Sequence, residues 1–270
     1  MTKIYIPDLY SRKIEIKSRL YNSIINNELY ICYQPQINAL SNTVIGTEAL
    51  LRWNNNKLGN VSPNEFIPIA ENSGYIVKIG KWILDEALKT ACMWKKKGYN
   101  FNTMSVNVSP IQLKESDFKD NILNTCAKHD ISPSLLEIEL TEGTLMDICK
   151  NEIEVLNELR EIGVNIAIDD FGIGYSSFNY LINLPFNTLK IDKSLIDNIK
   201  SDKNKAVIKS IVCLSKSLKY KIIIEGVETK EQVDLLIDLE CNIMQGYYFS
   251  KPLPENEIEK LLISLNEIQF

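Results

Sequence analysis

"ICKNEIEVLNELREIGVNIAIDDFG", Ile148 to Gly172, carries the fold in miniature. An amphipathic stretch with helical spacing stops at Gly163, as helices do at a glycine. A short apolar run with strand character follows, and it ends in Asp169, Asp170 and a Gly-x-Gly turn within "AIDDFGIGYSS". The same order of helix, stop, strand and polar end recurs along the chain. Two adjacent carboxylates at the end of an apolar run repel each other, so folding alone gives no reason for them.

The chain has 270 residues, 45% of them hydrophobic and 24% charged, which is ordinary globular composition with mass for one large core. Its net charge of -5 argues against a nucleic-acid duplex as partner, because duplex binders usually present a basic surface. It leaves room for a small phosphate-bearing ligand. The six cysteines, Cys32, Cys92, Cys126, Cys149, Cys213 and Cys241, form no Cys-x-x-Cys pair and sit in apolar segments. They read as buried, reduced thiols of a cytoplasmic protein. The charged start "MTKIYIPDLYSRKIEIKSRL" does not read as a secretory signal, and no apolar run is long enough to span a bilayer. The single histidine, His129, argues against zinc sites built on His pairs and against Ser-His-Asp hydrolysis.

Eight strand candidates are expected: "LYICYQPQI", "VIGTEALLRW", "TMSVNVS", "LLEIELTE", "VNIAIDDFG", "NTLKID", "YKIIIEGVE" and "NIMQGYYF". Helix candidates are Glu65 to Asn72, opened by Ser62 and Pro63, then Ile76 to Lys97 and "PIQLKESDFKDNILNTCAKH". "ICKNEIEVLNELREIG", "YSSFNYLINLP" ending at Pro185, "KAVIKSIVCLSKSLK", "KEQVDLLIDLE" and "ENEIEKLLISLN" complete the set. Strands alternating with helices over this length indicate a TIM-type (β/α)8 barrel. A doubly wound open sheet is the alternative, but "NALSNT" follows the first strand where a glycine-rich fingerprint would stand. Residues 1–28 form an N-terminal helix or linker region, and residues 29–270 the barrel.

Catalytic side chains of such barrels come from the C-terminal ends of the strands. Those ends carry Glu48 and Arg52, Asn107, Glu139 and Glu142, Asp169 and Asp170, Lys190, Glu225 and Glu228, and Gln245. Singly, each reads more readily as a solvated strand end or turn residue than as a functional group. Together at one mouth they would repel unless a positive group sat among them. Oxygen donors without His or Cys favour Mg²⁺ or Mn²⁺, and five carboxylates with an Asn carbonyl suffice for two ions. Two ions suit attack on a phosphodiester. Lys190 has three readings: a neutraliser of the acids, a Schiff-base amine, or an orienter of an attacking water. Surrounding acids raise a lysine pKa and disfavour the amine. Arg52 lies four residues after Glu48 on the same strand face and suits a phosphate oxygen; an ion pair with Glu48 is the structural alternative.

With these residues in hand, "EALLRW" at Glu48 to Trp53 resembles the signature of the EAL-domain family of cyclic-di-GMP phosphodiesterases. "YQP", "SPNEFIPIAENSG", "SVNVSP", "EIELTE", "IAIDDFGIGYSS", "LKID", "EGVET" and "QGYYFSKP" follow in the family's order, from roughly Leu20 to Leu262. The resemblance implies a barrel that hydrolyses cyclic-di-GMP to linear pGpG with Mg²⁺ or Mn²⁺. It implies metal ligands at Glu48, Asn107, Glu139, Asp169, Asp170 and Glu225, with Gln245 at the same site and Lys190 on the catalytic water. It implies that Gln34, Arg52 and Pro252 face the substrate and that Glu142 and Glu228 support the site, Glu142 by anchoring the loop after the fifth strand.

Two departures stand out: Ile224 where alanine is usual, and Glu240 where glycine is usual. Neither removes a ligand, and the Gly-x-Gly turn that many inactive members lose is kept. No sensory or GGDEF-type domain is expected within the chain, which reads as a stand-alone domain or a fragment of a longer protein. A homodimer through the loop and helix after the fifth strand is a further implication. A catalytically silent cyclic-di-GMP receptor is the alternative function.

Overall fold

The computed structural model of the protein describes residues 6–145, 148–172 and 178–267. Eight strands make a closed ring: β1 Leu29–Asn38, β2 Thr43–Asn55, β3 Thr103–Asn107, β4 Leu136–Thr141, β5 Asn165–Phe171, β6 Thr188–Ile191, β7 Lys221–Ile224 and β8 Ile243–Met244. The main helices are α1 Ile6–Leu20, α2 Pro63–Asn72, α3 Ile76–Lys96, α4 Phe118–Lys128, α5 Lys150–Ile162, α6 Asp202–Leu218, α7 Lys230–Asp238 and α8 Glu255–Glu267. From β2 to β8 each strand pairs in parallel with the next. Closure by β1, which pairs with both β2 and β8, makes this an α/β barrel and removes the open-sheet alternative.

The regular alternation of strand and helix expected from the sequence fails at one place. β1 runs antiparallel to both neighbours. Only Ala39 to Asn42 connect it to β2, and a parallel neighbour needs a crossover of about a dozen residues or more. A hairpin is the only solution of that length. Asn38 Oδ1 accepts from the Leu40 and Ser41 amides, and Asn42 takes the left-handed conformation at φ 53°. "NALSNT" is thus turn chemistry, legible as such.

Local signals set most helix ends. Pro63 opens α2, where Glu65 reaches back to the Ser62 amide at 3.4 Å. Gly163 closes α5 at φ 106°, a conformation open to glycine at little cost. The helix expected over 110–129 divides into Pro110–Leu113 and α4, and α6 starts at Asp202, ahead of Lys205. α1 lies on α2, held by a bidentate Arg12–Glu65 pair (2.6 and 3.1 Å), and sinks Ile16 and Leu20 into the main core. Two of the cysteines expected to be buried, Cys149 and Cys213, are exposed on the helical layer. No helix among the described residues is long and apolar enough to cross a membrane.

The strands are buried on both faces, yet they alternate. Met104, Val106, Ile138, Leu140, Ile166, Ile168, Leu189 and Ile191 belong to the apolar cores. The residues between them, Ser105, Glu137, Glu139, Ala167, Thr188 and Lys190, are equally buried and mostly polar. Barrel interiors are commonly filled by branched apolar side chains; this one holds a hydrogen-bonded polar column. The apolar faces pack outward against helices, so the hydrophobic contribution to stability comes from the barrel–helix layer. Close packing reaches into the column at Gly46, where a Cβ would lie 2.4 Å from Thr103 Oγ1 and 2.5 Å from Gln36 Oε1. Gly46→Ala is therefore expected to destabilise the fold by about 1–3 kcal/mol in a denaturant titration, as overpacking does; an unchanged midpoint would show that the two side chains swing aside freely.

Candidate active site

Lys190, at the end of β6, is fully buried and anchors the barrel mouth. Its Nζ lies 2.7 Å from Glu139 Oε2, 2.8 Å from Glu225 Oε1, 3.2 Å from Asp169 Oδ1 and 3.3 Å from Glu48 Oε2. Four strands or strand ends thus send one carboxylate each to a single ammonium. Ala167 on β5 faces the same interior and is small, which leaves room for Glu139 on β4 to reach Lys190 on β6 across it.

Amides hold the rest of the layer. Asn107 Nδ2 donates to Glu48 Oε1 at 2.7 Å, and Gln245 Nε2 donates to Glu48 Oε2 at 2.6 Å. Gln245 Nε2 also lies 3.1 Å from Gln34 Oε1, while Gln34 Nε2 donates to the Ser250 carbonyl at 3.0 Å. Gln34 can join because reversed β1 sets it directly opposite Glu48.

Asp169 and Asp170 are neighbours in a strand and should point to opposite faces. They do not. The β5–β6 register breaks between Ile168 and Phe171, and Asp170 takes the left-handed conformation at φ 57°. A break of that kind re-aims a side chain. As a result, oxygens of Asp169, Asp170 and Glu225 come within 4.8 Å of one another. The strain of a non-glycine residue at positive φ costs something on the order of 1 kcal/mol and often marks a functional position.

The electrostatics are those of a site short of positive charge. Burial pushes the Glu225 carboxyl up to about 8, Asp169 adding to the rise and Lys190 opposing it. Burial and the charge of Glu48 push Glu139 well up. Burial and Asp169 raise Asp170. For Glu48 burial also acts upward, but Lys190 and the bonds from Gln245 and Asn107 outweigh it and hold the carboxyl low. Burial acts to lower the Lys190 pKa; Asp169, Glu139, Glu225 and Glu48 outweigh it and hold the pKa well above the ordinary lysine range. A charged, four-fold paired amine is no nucleophile, which removes the Schiff-base reading. Glu139 Oε1 is buried with no hydrogen-bond partner among the described residues. A hard divalent cation fits this donor set: oxygens only, an excess of carboxyls over ammonium, and one buried oxygen without a partner.

The remaining candidates fall around this centre. Arg52 donates to the Leu51 carbonyl at 2.8 Å and forms no ion pair with Glu48. It lines a cavity of about 570 Å³ beside the acids, with Asn107, Pro63, Ile67, Pro110 and Thr144. Glu142 is buried, and its Oε2 accepts from the Gly172 amide at 3.1 Å, at the start of the segment after β5. Residues 173–177 of that segment, on which "IGYSS" and part of the expected dimer surface fall, lie outside the described residues. Pro252 is half-buried just before the short strand Leu253–Pro254. Glu228 stands apart from the cluster; it is exposed and pairs with Lys193 at 2.5 Å. Sequence reasoning passed over Glu137, whose signal was its place two residues before Glu139 on the same strand face.

The family profile of the EAL domain matches residues 17–252. The chain belongs to the EAL domain family. Metal use is typical of that family. The bifunctional diguanylate cyclase/cyclic di-GMP phosphodiesterase MucR of Pseudomonas aeruginosa is 37% identical over 247 residues, covering 91% of this chain and 36% of MucR. The signaling protein YkoW of Bacillus subtilis is 38% identical over 252 residues, covering 93% of this chain and 31% of YkoW. The chain thus spans about a third of the length of these relatives. Among solved structures, the PaMucR phosphodiesterase in complex with c-di-GMP superimposes with a TM-score of 0.85 at 38% identity, covering 90% of this chain and 99% of that one.

The raised Glu225 carboxyl has a signed consequence for metal-free protein. The folded state keeps a proton that the unfolded chain releases near its ordinary carboxylate pKa, so stability falls as pH rises from about 4.5 to about 8 and then levels. In chelator, Glu225→Gln should flatten that slope and melt above the wild type at about pH 8.5, the difference shrinking towards about pH 5. Parallel melting curves for the two proteins across this range would refute the assignment.

Proposed function

We propose that this domain hydrolyses cyclic-di-GMP to linear pGpG. The observation that carries the reading is the convergence of Glu48, Glu139, Asp169 and Glu225 on Lys190, with Asp170 turned in beside them. The reaction adds water across one P–O3′ bond: the water oxygen forms the new bond to phosphorus, O3′ departs and takes up a proton, and pGpG keeps the 5′-phosphate. Glu48, Asn107, Glu139, Asp169, Asp170 and Glu225 would hold two Mg²⁺ or Mn²⁺ ions, which when bound supply Lewis-acid polarisation of the phosphoryl group and of the water.

The chain's own residues then divide the work. Lys190 Nζ keeps its proton and donates to the attacking water, fixing its line of approach and offsetting its growing negative charge. Gln245 and Asn107 keep Glu48 ionised and aimed inward. Arg52 offers its fork to a non-bridging phosphate oxygen from the adjoining cavity. Gln34 and Pro252 border the substrate on the β1 and β8 side of the mouth, and Glu142 fixes the start of the segment after β5 through Gly172.

Incubation with cyclic-di-GMP and Mg²⁺ should yield pGpG, and chelator should abolish it; tight binding without product would make the domain a receptor instead. Lys190→Ala should lower turnover by about 100-fold or more, the scale of losing one main transition-state stabiliser. The same variant should melt early without metal, because buried carboxylates lose their counter-charge, and added Mg²⁺ should restore its stability. Lys190→Arg should not recover the rate, since a planar fork cannot replace a compact ammonium at one water. Full turnover by metal-loaded Lys190→Ala would reduce Lys190 to a neutralising role.

A further inference from the structure

Directly beneath the acid layer lies a second buried ionic layer. Glu137 precedes Glu139 by two residues on β4 and points into the same interior; its side chain is fully buried. Two residues of strand separate their Cα atoms by about 7 Å. Glu137 is completely engaged: Ser105 Oγ donates to its Oε1 at 2.9 Å, and Thr188 Oγ1 donates to its Oε2 at 2.6 Å. Lys221 Nζ reaches in from the opposite rim of the barrel to its Oε2 at 3.1 Å and Oε1 at 3.4 Å. Gln36 Nε2 extends the network to Ser105 Oγ at 3.4 Å. Each partner sits one layer below a member of the site: Ser105 below Asn107, Thr188 below Lys190, Gln36 below Gln34.

Stability alone does not call for this pair. A buried ion pair loses solvation that its attraction rarely exceeds, and apolar residues of the same volume serve a core as well or better. The pair is instead placed where charge is felt. Glu137 and Glu139 are both buried, and charges buried in this way are screened only weakly. Glu137 is near and rigid, with all its partners satisfied; Lys221 is farther from the acids and is partly exposed, at 25% of its side chain.

We propose that the Glu137–Lys221 pair is an electrostatic floor that sets the divalent-cation affinity of the carboxylate layer above it, Glu137 strengthening cation binding and Lys221 limiting it. The inference rests on the metal reading of the site. It makes both residues tuning groups that touch neither substrate nor cation. The opposite signs of the two effects separate this role from a structural one. A structural pair would lose stability when either partner is removed and would move cation affinity in one direction only, downward, as the site loosened.

Mn²⁺ titration calorimetry on the purified protein and four variants tests this. Glu137→Gln should weaken Mn²⁺ binding by about tenfold, and Lys221→Met should tighten it by a smaller factor, because the ammonium is farther and better solvated. Glu137→Gln combined with Lys221→Met restores neutrality and should return the affinity to within about threefold of the wild type. Lys221→Arg keeps the charge and should leave the affinity unchanged. This variant and Glu137→Gln stay decisive if Lys221→Met does not fold. Weakening by both single substitutions, or no change in folded Glu137→Gln, would overturn the floor. A wild type that binds no Mn²⁺ at all would overturn the metal reading, and the floor with it.

Discussion

One ammonium inside a ring of carboxylates is the constraint to which the rest of the molecule answers. Leaving a buried charge cluster without its counter-charge typically costs about 3–5 kcal/mol, so the single ammonium of Lys190 holds its acids in place. The arrangement needs strands from around the whole barrel to end at one height. It also needs a small residue, Ala167, where two long side chains pass, and amides at Asn107 and Gln245 to hold the outlying Glu48. None of these could shift alone without leaving a charge buried and unpaired.

The polar column follows from that constraint. A site at the mouth of a barrel with an apolar interior would set ionised groups against hydrocarbon. Here the interior continues downward as Gln34 over Gln36, Asn107 over Ser105, Glu139 over Glu137 and Lys190 over Thr188. The hydrophobic effect is then left to the outer faces of the strands and the helices. The reversed first strand belongs to the same economy of form: it closes the barrel with a four-residue turn and places Gln34 opposite Glu48.

Much of this was open to view in the chain. The alternation of strands and helices announced the barrel, because the hydrophobic period shows through even short segments. The strand ends announced the site, because seven of the eight expected strands finish in acids, amides or a lysine. The turn "NALSNT" carried the information for the hairpin, although a uniform pattern of strand and helix obscured it. The break after Pro110–Leu113 was less apparent, since the four polar residues Lys114 to Asp117 are as compatible with an exposed helical turn as with a break.

By itself the sequence determined the family, the order of elements and which polar residues stand at the strand ends, since these depend on local periodicity, turn chemistry and spaced motifs. Tertiary structure alone decided which of those residues meet. It drew Glu48, Glu139, Asp169 and Glu225 onto Lys190 and left Glu228 on the surface with Lys193. It turned Asp170 inward through a register break that depends on a neighbouring strand. It also joined Glu137 to Lys221, 84 residues apart, beneath the site. Local propensity acts over a few residues, whereas the meeting of charges across a barrel depends on closure of the ring, which no single segment encodes.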